Sequence, residues 1–204
     1  MGEADCPPQM LRLILASTSP RRRDLLAQLG VVPLRIAAPD IDERARKGQP
    51  PRDYARRMAA EKARAVTVAA GEIALAGDTV VAAGRRILPR AADASEVARC
   101  LTLLSGRRHR VMTAIALIDA EGRLRERLSE SIVAFAPLDP ALIAAYAAGG
   151  EGIGKAGGYA IQGSAGAFVR WMSGSYSGIV GLPLFETRAL LIAAGVLAAG
   201  TVDG

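Results

Sequence analysis

Apolar residues fall into short runs and helical stripes that alternate along the chain. Leu11 to Ala16 is a brief apolar run and predicts a buried strand. Ser19 then offers a helix cap with Pro20 at the first helical position, and Gly30 closes that helix. Leu25, Leu26 and Leu29 give it a buried stripe. Pro39 to Pro51 is polar and broken by Gly and Pro, so it reads as a loop. A helix follows over 52–70. A strand runs over 73–82, interrupted by Asp78, and Gly84 turns it into a short second strand at Ile87-Leu88. Asp93 and Glu96 match a capping box, and Gly106 ends that helix. Strands at 111–118 and 132–135 are joined around "DAEGR". Asp139-Pro140 opens a helix that stops at Gly149-Gly150. Residues 149–181 are rich in glycine and poor in charge, and "AFVRWM" within them suits a strand. Leu184 to Ala199 predicts a final helix. Alternating strands and helices with central hairpins imply an α/β fold with a mixed sheet.

Half of the 204 residues are hydrophobic, enough for a substantial core. The net charge is +6, which favours anionic partners. Lysine accounts for only three of the basic positions, Lys47, Lys62 and Lys155. Cys6 and Cys100 suggest neither a disulfide framework nor a zinc site. Residues 1–10 read as a flexible N-terminus without a signal-peptide pattern, and 11–204 as a single domain. No apolar run is long enough to span a bilayer, so a cytoplasmic protein with no membrane partner is expected.

Polar residues in unexpected places carry the chemistry. Arg21, Arg22 and Arg23 occupy the first turn of the first helix, where cations oppose the helix dipole. A bound phosphate reverses that argument, meeting backbone N–H groups, the hydroxyls of Ser17, Thr18 and Ser19, and guanidinium forks. The competing reading is a solvated basic helix start. Asp78 breaks an apolar run and needs a metal, a lysine or an arginine, unless it sits in a turn after Gly77. Lys62 shares a helical column with Tyr54, Met58 and Val66; it either snorkels to solvent, the preferred reading in isolation, or meets an anion. Asp42-Glu43 could help hold Mg²⁺ or be merely a solvated loop. His109 is the only histidine and reads as structural, so a histidine-dependent triad is excluded. "KAGGYAIQG", 155–163, lets a flat ligand approach the backbone or forms a tight turn network.

Together these stretches resemble the Maf family of nucleoside triphosphate pyrophosphatases, also called septum-formation inhibitors. The matches are "LASTSPRR", "DE", "EKA", "AGDTVV", "LSGRRHRVMTA", "KAGGYAIQG" and "VGLPL", in the family's order from Leu11 onward. The resemblance implies an elongated, mixed-sheet α/β fold of Maf/ITPase-like type, with two lobes, a central cleft and a possible homodimer. It implies cleavage of a nucleoside triphosphate to the monophosphate and pyrophosphate with a divalent cation, Mg²⁺ or Mn²⁺. By residue match, Asp78 falls on the proton acceptor. Ser17, Arg22, Glu43 and Lys62 fall on the polar active-site set, and Arg21, Thr79 and Gln162 on positions linked to substrate choice. Arg90 stands where the family usually has a lysine.

On this reading Arg21, Arg22, Lys62 and Arg90 clamp the triphosphate, while Glu43 and Asp78 hold the metal. Arg21, the "DT" of Asp78-Thr79 and Gln162 fit the branch that resembles dTTP/UTP pyrophosphatases. The carboxamide of Gln162 can accept from N3–H of uracil or thymine and donate to a neighbouring carbonyl. The alternatives are a 7-methyl-GTP-type or broad-specificity pyrophosphatase, or a non-enzymatic nucleic-acid or division-machinery module. Scarce aromatics, at 4%, argue against a single-strand stacking platform, so no nucleic-acid partner is expected.

Overall fold

The computed structural model describes residues 12–199. Cys6 and the expected flexible segment 1–10 lie outside the described residues. Strand β1 (Arg12–Ala16) pairs in parallel with the short β2 (Arg35–Ile36) and with β3 (Glu72–Ala83). β4 (Arg86–Leu88), β5 (Arg108–Ile118), β6 (Leu124–Phe135) and β7 (Val169–Ser173) complete a seven-stranded mixed sheet. Its order is β2-β1-β3-β5-β6-β7, with β4 paired to β3.

One detail of register creates the site. The edge of β3 opposite β5 pairs with β1 through Ala76 and with β4 from Val81. Between them, Gly77 to Val80 has a strand partner only on the β5 side. The sheet therefore has a gap in one edge, and Asp78 and Thr79 sit in it. This gap is the cleft between the two ends of the sheet.

Helix α2 (Pro51–Arg64) covers one face of β3 and β5. Its alanines Ala55, Ala59 and Ala63 are fully or almost fully buried among Ala76, Ala82, Ala114 and Ala116 of the sheet. Small residues on both sides permit close approach. That approach lets Lys62 reach the sheet. The helix ends at Arg64, short of the expected position 70. The following Val66, Thr67 and Val68 are β-branched and poor helix formers.

The opposite face carries two apolar clusters separated by polar side chains. One cluster joins Leu13, Leu75 and Ile115 to α1 (Pro20–Ala27) and α6 (Leu184–Ala193). The other joins Val81, Val111 and Val133 to α3 (Ala94–Leu104) and α4 (Pro140–Ala148). Thr79 and Thr113 lie in register between them, with Ser129 beside Thr113. A short helix, α5 (Tyr176–Val180), packs against β5 and β6 here.

Several boundaries differ from the sequence expectation. β5 begins at Arg108, and β6 begins at Leu124 rather than Ile132. The added residues are largely arginine, glutamate and serine, so no apolar alternation marks them. α6 stops at Ala193, not Ala199, because Gly195 adopts φ +74° and reverses the chain. α5 escapes the periodicity because it has a single turn; Ser175 Oγ caps it by accepting from Gly178 N–H at 2.9 Å. In the capping box, Asp93 accepts from Glu96 N–H, but the Glu96 carboxylate accepts from Ala92 N–H, one residue earlier than expected.

Candidate active site

Two neighbours on β3 point to opposite faces of the sheet. Asp78 faces α2. It is 2% exposed, and its Oδ1 accepts from Lys62 Nζ at 2.7 Å and from Arg90 Nη2 at 2.9 Å. The turn reading of Asp78 is therefore wrong: the residue lies within the strand. Lys62 does not snorkel either. It is 4% exposed, and its ammonium also meets Glu43 Oε1 at 2.8 Å. A buried ammonium requires such partners. Glu43 is held below the usual carboxylate range: its partial burial acts upward, and Lys62, Arg90 and Arg22 outweigh it.

The Asp42-Glu43 pair divides. Asp42 turns outward and chelates Arg44, with an oxygen 2.8 Å from Arg44 Nη2. Only Glu43 joins the cluster. Arg90, at the position of the expected lysine, reaches both carboxylates, with its Nε 3.9 Å from Glu43 Oε2. Backbone bonds from Gly157 N–H to Pro89 C=O and from Ala91 N–H to Lys155 C=O hold the Arg90 segment against the glycine-rich loop. Gly157 has φ +69°, and a Cβ there would strike the Val81 side chain, so the loop can lie against the strand only with glycine at this point.

Thr79 faces the other side, where Arg22 is buried. Arg22 donates from Nε to Gly181 C=O at 2.9 Å, from Nη1 to Ser17 Oγ at 3.0 Å, and from Nη2 to Thr79 Oγ1 at 3.3 Å. Burial lowers its pKa to about 10. Asp78 pushes the other way, and Arg90 and Arg21 lower it further. Gly77 leaves room for this side chain: a Cβ there would come 3.2 Å from Arg22 Nε. Arg22 thus binds the protein together as much as it faces the cleft. Ser17 accepts from it and from Ser19 N–H, and Ser19 makes no side-chain cap bond to α1. Arg21 bonds Val180 C=O, and its pKa is lowered by burial and by Arg90. Arg23 points to solvent beside Asp24.

Two adjoining cavities open onto these groups. One is lined by Ser17, Arg22, Glu43, Lys62 and Arg90 among others. The second is lined by Thr79, Val81, Val111, Ile179 and Gln162 among others. Arg21, Arg22, Arg90 and Lys155 line both. The first is ringed by charge; the second adds an apolar wall of Val81, Val111 and Ile179 to the four shared cations and the polar Thr79 and Gln162. Eight of the nine site residues expected from sequence line these two cavities; the ninth, Asp78, lines a third opening that shares Glu43, Thr79 and Arg90 with them.

Sequence reasoning missed four contributors. Lys155 faces both cavities, and its pKa is lowered by burial and by Arg21. Its signal was available, as a rare lysine heading a glycine-rich segment. Glu151 shapes the Gln162 loop by accepting from Ser164 N–H at 3.0 Å and from Tyr146 O–H at 3.0 Å. Thr113 is buried behind Thr79. Tyr159 lines the second cavity and bonds His109 Nε2 at 2.8 Å, which bears out the structural reading of the histidine.

A family model described as "Maf-like protein" matches residues 12–194. A dTTP/UTP pyrophosphatase of Novosphingobium aromaticivorans is 59% identical over 96% of this chain and 98% of its own length. One from Rhodospirillum rubrum is 60% identical over 90% of this chain and 88% of its own. Among solved structures, a nucleoside-triphosphatase, or dITP/XTP pyrophosphatase, from Mycobacterium abscessus aligns over 92% of this chain and 96% of that chain at 18% identity, with a TM-score of 0.43.

Proposed function

The chain belongs to the Maf family, and from that premise we propose that it hydrolyses dTTP and UTP to the monophosphate and pyrophosphate. The observation that carries the chemistry is Asp78: a buried carboxylate in the open edge of β3, ion-paired to two cations and adjoining a cleft lined with arginine and lysine.

Hydrolysis breaks the bond between the α- and β-phosphates. Water supplies the new oxygen, and negative charge builds on the departing pyrophosphate. Little covalent chemistry falls to the protein, so positioning and electrostatics dominate. Arg21, Arg90 and Lys155 are available to neutralise the triphosphate, because each lines the cleft that it would enter. Lys62 sits deeper, between the two carboxylates. Arg22 holds Ser17, Thr79 and Gly181 in place around the same space. In this reading Asp78 accepts the proton of the attacking water.

The donor set fits a Mg²⁺ ion, with Mn²⁺ as the other candidate. Glu43 and Asp78 come from different segments and converge on one ammonium, and Asp78 Oδ2 carries neither of the two ion-pair bonds. Among the described residues no group of three or more His, Cys, Asp or Glu could hold a metal. Two carboxylates suffice for Mg²⁺, which usually completes its shell with water and substrate phosphate. Glu43 and Asp78 would hold it, and when bound it polarises phosphate and acidifies water.

For substrate choice, Gln162 lines the second cavity and makes no hydrogen bond among the described residues, so its amide is free to read a base edge. No described helix is long and apolar enough to cross a membrane. A cytoplasmic location and a possible homodimer belong to this reading.

The test is pyrophosphate release from a panel of nucleoside triphosphates with Mg²⁺. Turnover of dTTP and UTP well above that of the purine triphosphates is expected. Absence of both activities overturns the reading.

A further inference from the structure

Gln162 can read a base only if the loop that carries it holds still. Gly163 N–H donates to Ala160 C=O at 3.0 Å, which places Gln162 third in a tight turn. Gly163 then leads into a 3₁₀ turn, Ser164–Phe168, and has no side chain with which to cap it. The cap comes from elsewhere in the chain. Glu151 Oε2 accepts from Ser164 N–H and from Ser164 Oγ, each at 3.0 Å, and Oε1 accepts from Ala165 N–H at 3.4 Å. At the other end of the turn, Ala160 N–H donates to Tyr146 Oη at 3.2 Å. The two ends are joined, because Tyr146 gives its proton to Glu151 Oε1 at 3.0 Å. Every direction is fixed: a carboxylate only accepts, and a backbone N–H only donates. Tyr146 must therefore accept from Ala160 and donate to Glu151.

Ala160 and Ser164 each stand two residues from Gln162, so the phenol and the carboxylate hold the turn on both sides of it. Gly163 makes the close approach possible, since a Cβ there would strike the Glu151 carboxylate. Tyr146 is buried and packs edge-on against Phe168, with ring centroids 5.2 Å apart, so the clamp is anchored in the core. Glu151 is held below the usual carboxylate range: its partial burial acts upward, and the bonds from Ser164, Tyr146 and Ala165 outweigh it. Between the two held ends, Gln162 alone brings a polar side chain to the cavity wall. We propose that Glu151 and Tyr146 are specificity-positioning residues: together they hold the Gln162 amide against the base of the bound nucleotide. This rests on the pyrimidine triphosphatase reading above and adds what fixes its base-reading group.

The experiment measures KM and kcat for UTP in wild type, Glu151→Gln and Tyr146→Phe, each with and without Gln162→Ala. Glutamine keeps the shape of Glu151, but its NH₂ must face the backbone N–H of Ser164 or Ala165, neither of which can turn round. Phenylalanine removes both the acceptor for Ala160 and the donor to Glu151. With Gln162 in place, either change is expected to raise KM about fivefold or more and to move kcat by less than about threefold. Gln162→Ala alone should raise KM at least as far. In the Gln162→Ala background neither change should raise KM by more than about twofold, because the contact they protect is already gone. KM does not depend on how much enzyme is folded, so a loss of stability alone does not give this pattern. If Glu151→Gln does not fold, Tyr146→Phe carries the test. Equal rises in KM with and without Gln162, or a wild-type KM in the folded single variants, overturn the proposal alone. A wild-type enzyme that turns over neither UTP nor dTTP overturns both it and the functional reading.

Discussion

Asp78 and Thr79 are adjacent in the same strand, yet their surroundings follow different rules. On the α2 face, Asp78, Lys62, Glu43 and Arg90 form a cluster of full charges. On the other face, Thr79 belongs to a chain of hydroxyl and carbonyl groups anchored by Arg22. Ionic partners in the first group can be exchanged for phosphate or a cation when substrate enters. In the second, the Arg22 guanidinium and the Thr113 hydroxyl are already committed to protein acceptors. Under the proposed function, the contrast gives charge handling to one side of the strand and recognition to the other. A strand's alternation places both within one residue of each other.

The largest break in this comparison comes from removing the buried ammonium. Lys62→Met leaves Asp78 with Arg90 alone and should lower stability by about 3 kcal/mol in chemical denaturation. Lys62→Met combined with Asp78→Leu should recover most of that loss while remaining inactive, because a buried ion pair replaced by apolar groups is close to neutral in stability. A double variant no more stable than Lys62→Met would show that Glu43 and Arg90, left without their partners, cost as much as the pair removed.

On the hydroxyl side, Arg22→Ala should cost about 2–3 kcal/mol by leaving the Gly181 carbonyl without this donor and removing one of the donors to Ser17 and to Thr79. Arg22→Lys should not rescue it, since an ammonium cannot serve three directions in the plane of a guanidinium. Rescue by lysine would mean that Arg22 acts through charge, and the two sides would no longer differ.

His109 sharpens the comparison through pH. It supports Tyr159 on the recognition side, and burial lowers its pKa to about 4. An unfolded histidine titrates near 6.5. Between those values the unfolded chain binds a proton that the folded chain does not. Stability therefore falls as pH drops from about 6.5 toward 4, by about 2 kcal/mol at pH 5. Thermal melts of His109→Gln should show a flatter profile over that window. The smallest effect belongs to Arg23→Ala. Arg23 is exposed, so its removal should change stability and kcat/KM by less than about 0.5 kcal/mol.

Much of this arrangement was legible in the sequence where a polar residue broke a local pattern. Asp78 inside an apolar strand signalled buried charge, whereas Lys62 on an apolar helix column read in isolation as a snorkelling side chain. The strand, hydroxyl turn and helix from Leu13 to Gly30 were readable from punctuation. What stayed hidden depends on partners far apart in the chain. Arg22 looked like a phosphate ligand because nothing nearby shows that Thr79 and Gly181 use its donors. Glu43 and Asp42 could not be separated, since only the fold decides which one reaches Lys62. The solvent-facing half of β6 lacked apolar alternation, and the gap in the β3 edge is a property of pairing. Thr113 also interrupts an apolar strand, the same signal as Asp78, but its partners Thr79 and the Gly178 carbonyl are distant in the chain.

The central claim is that Asp78 drives hydrolysis from a cluster in which Lys62 and Arg90 fix its carboxylate. Steady-state turnover of dTTP by wild type and Asp78→Asn, with substrate binding measured in parallel, tests this most directly. The account predicts a fall in kcat of at least about 100-fold with binding retained within roughly tenfold. Wild-type kcat in a folded Asp78→Asn protein would contradict it.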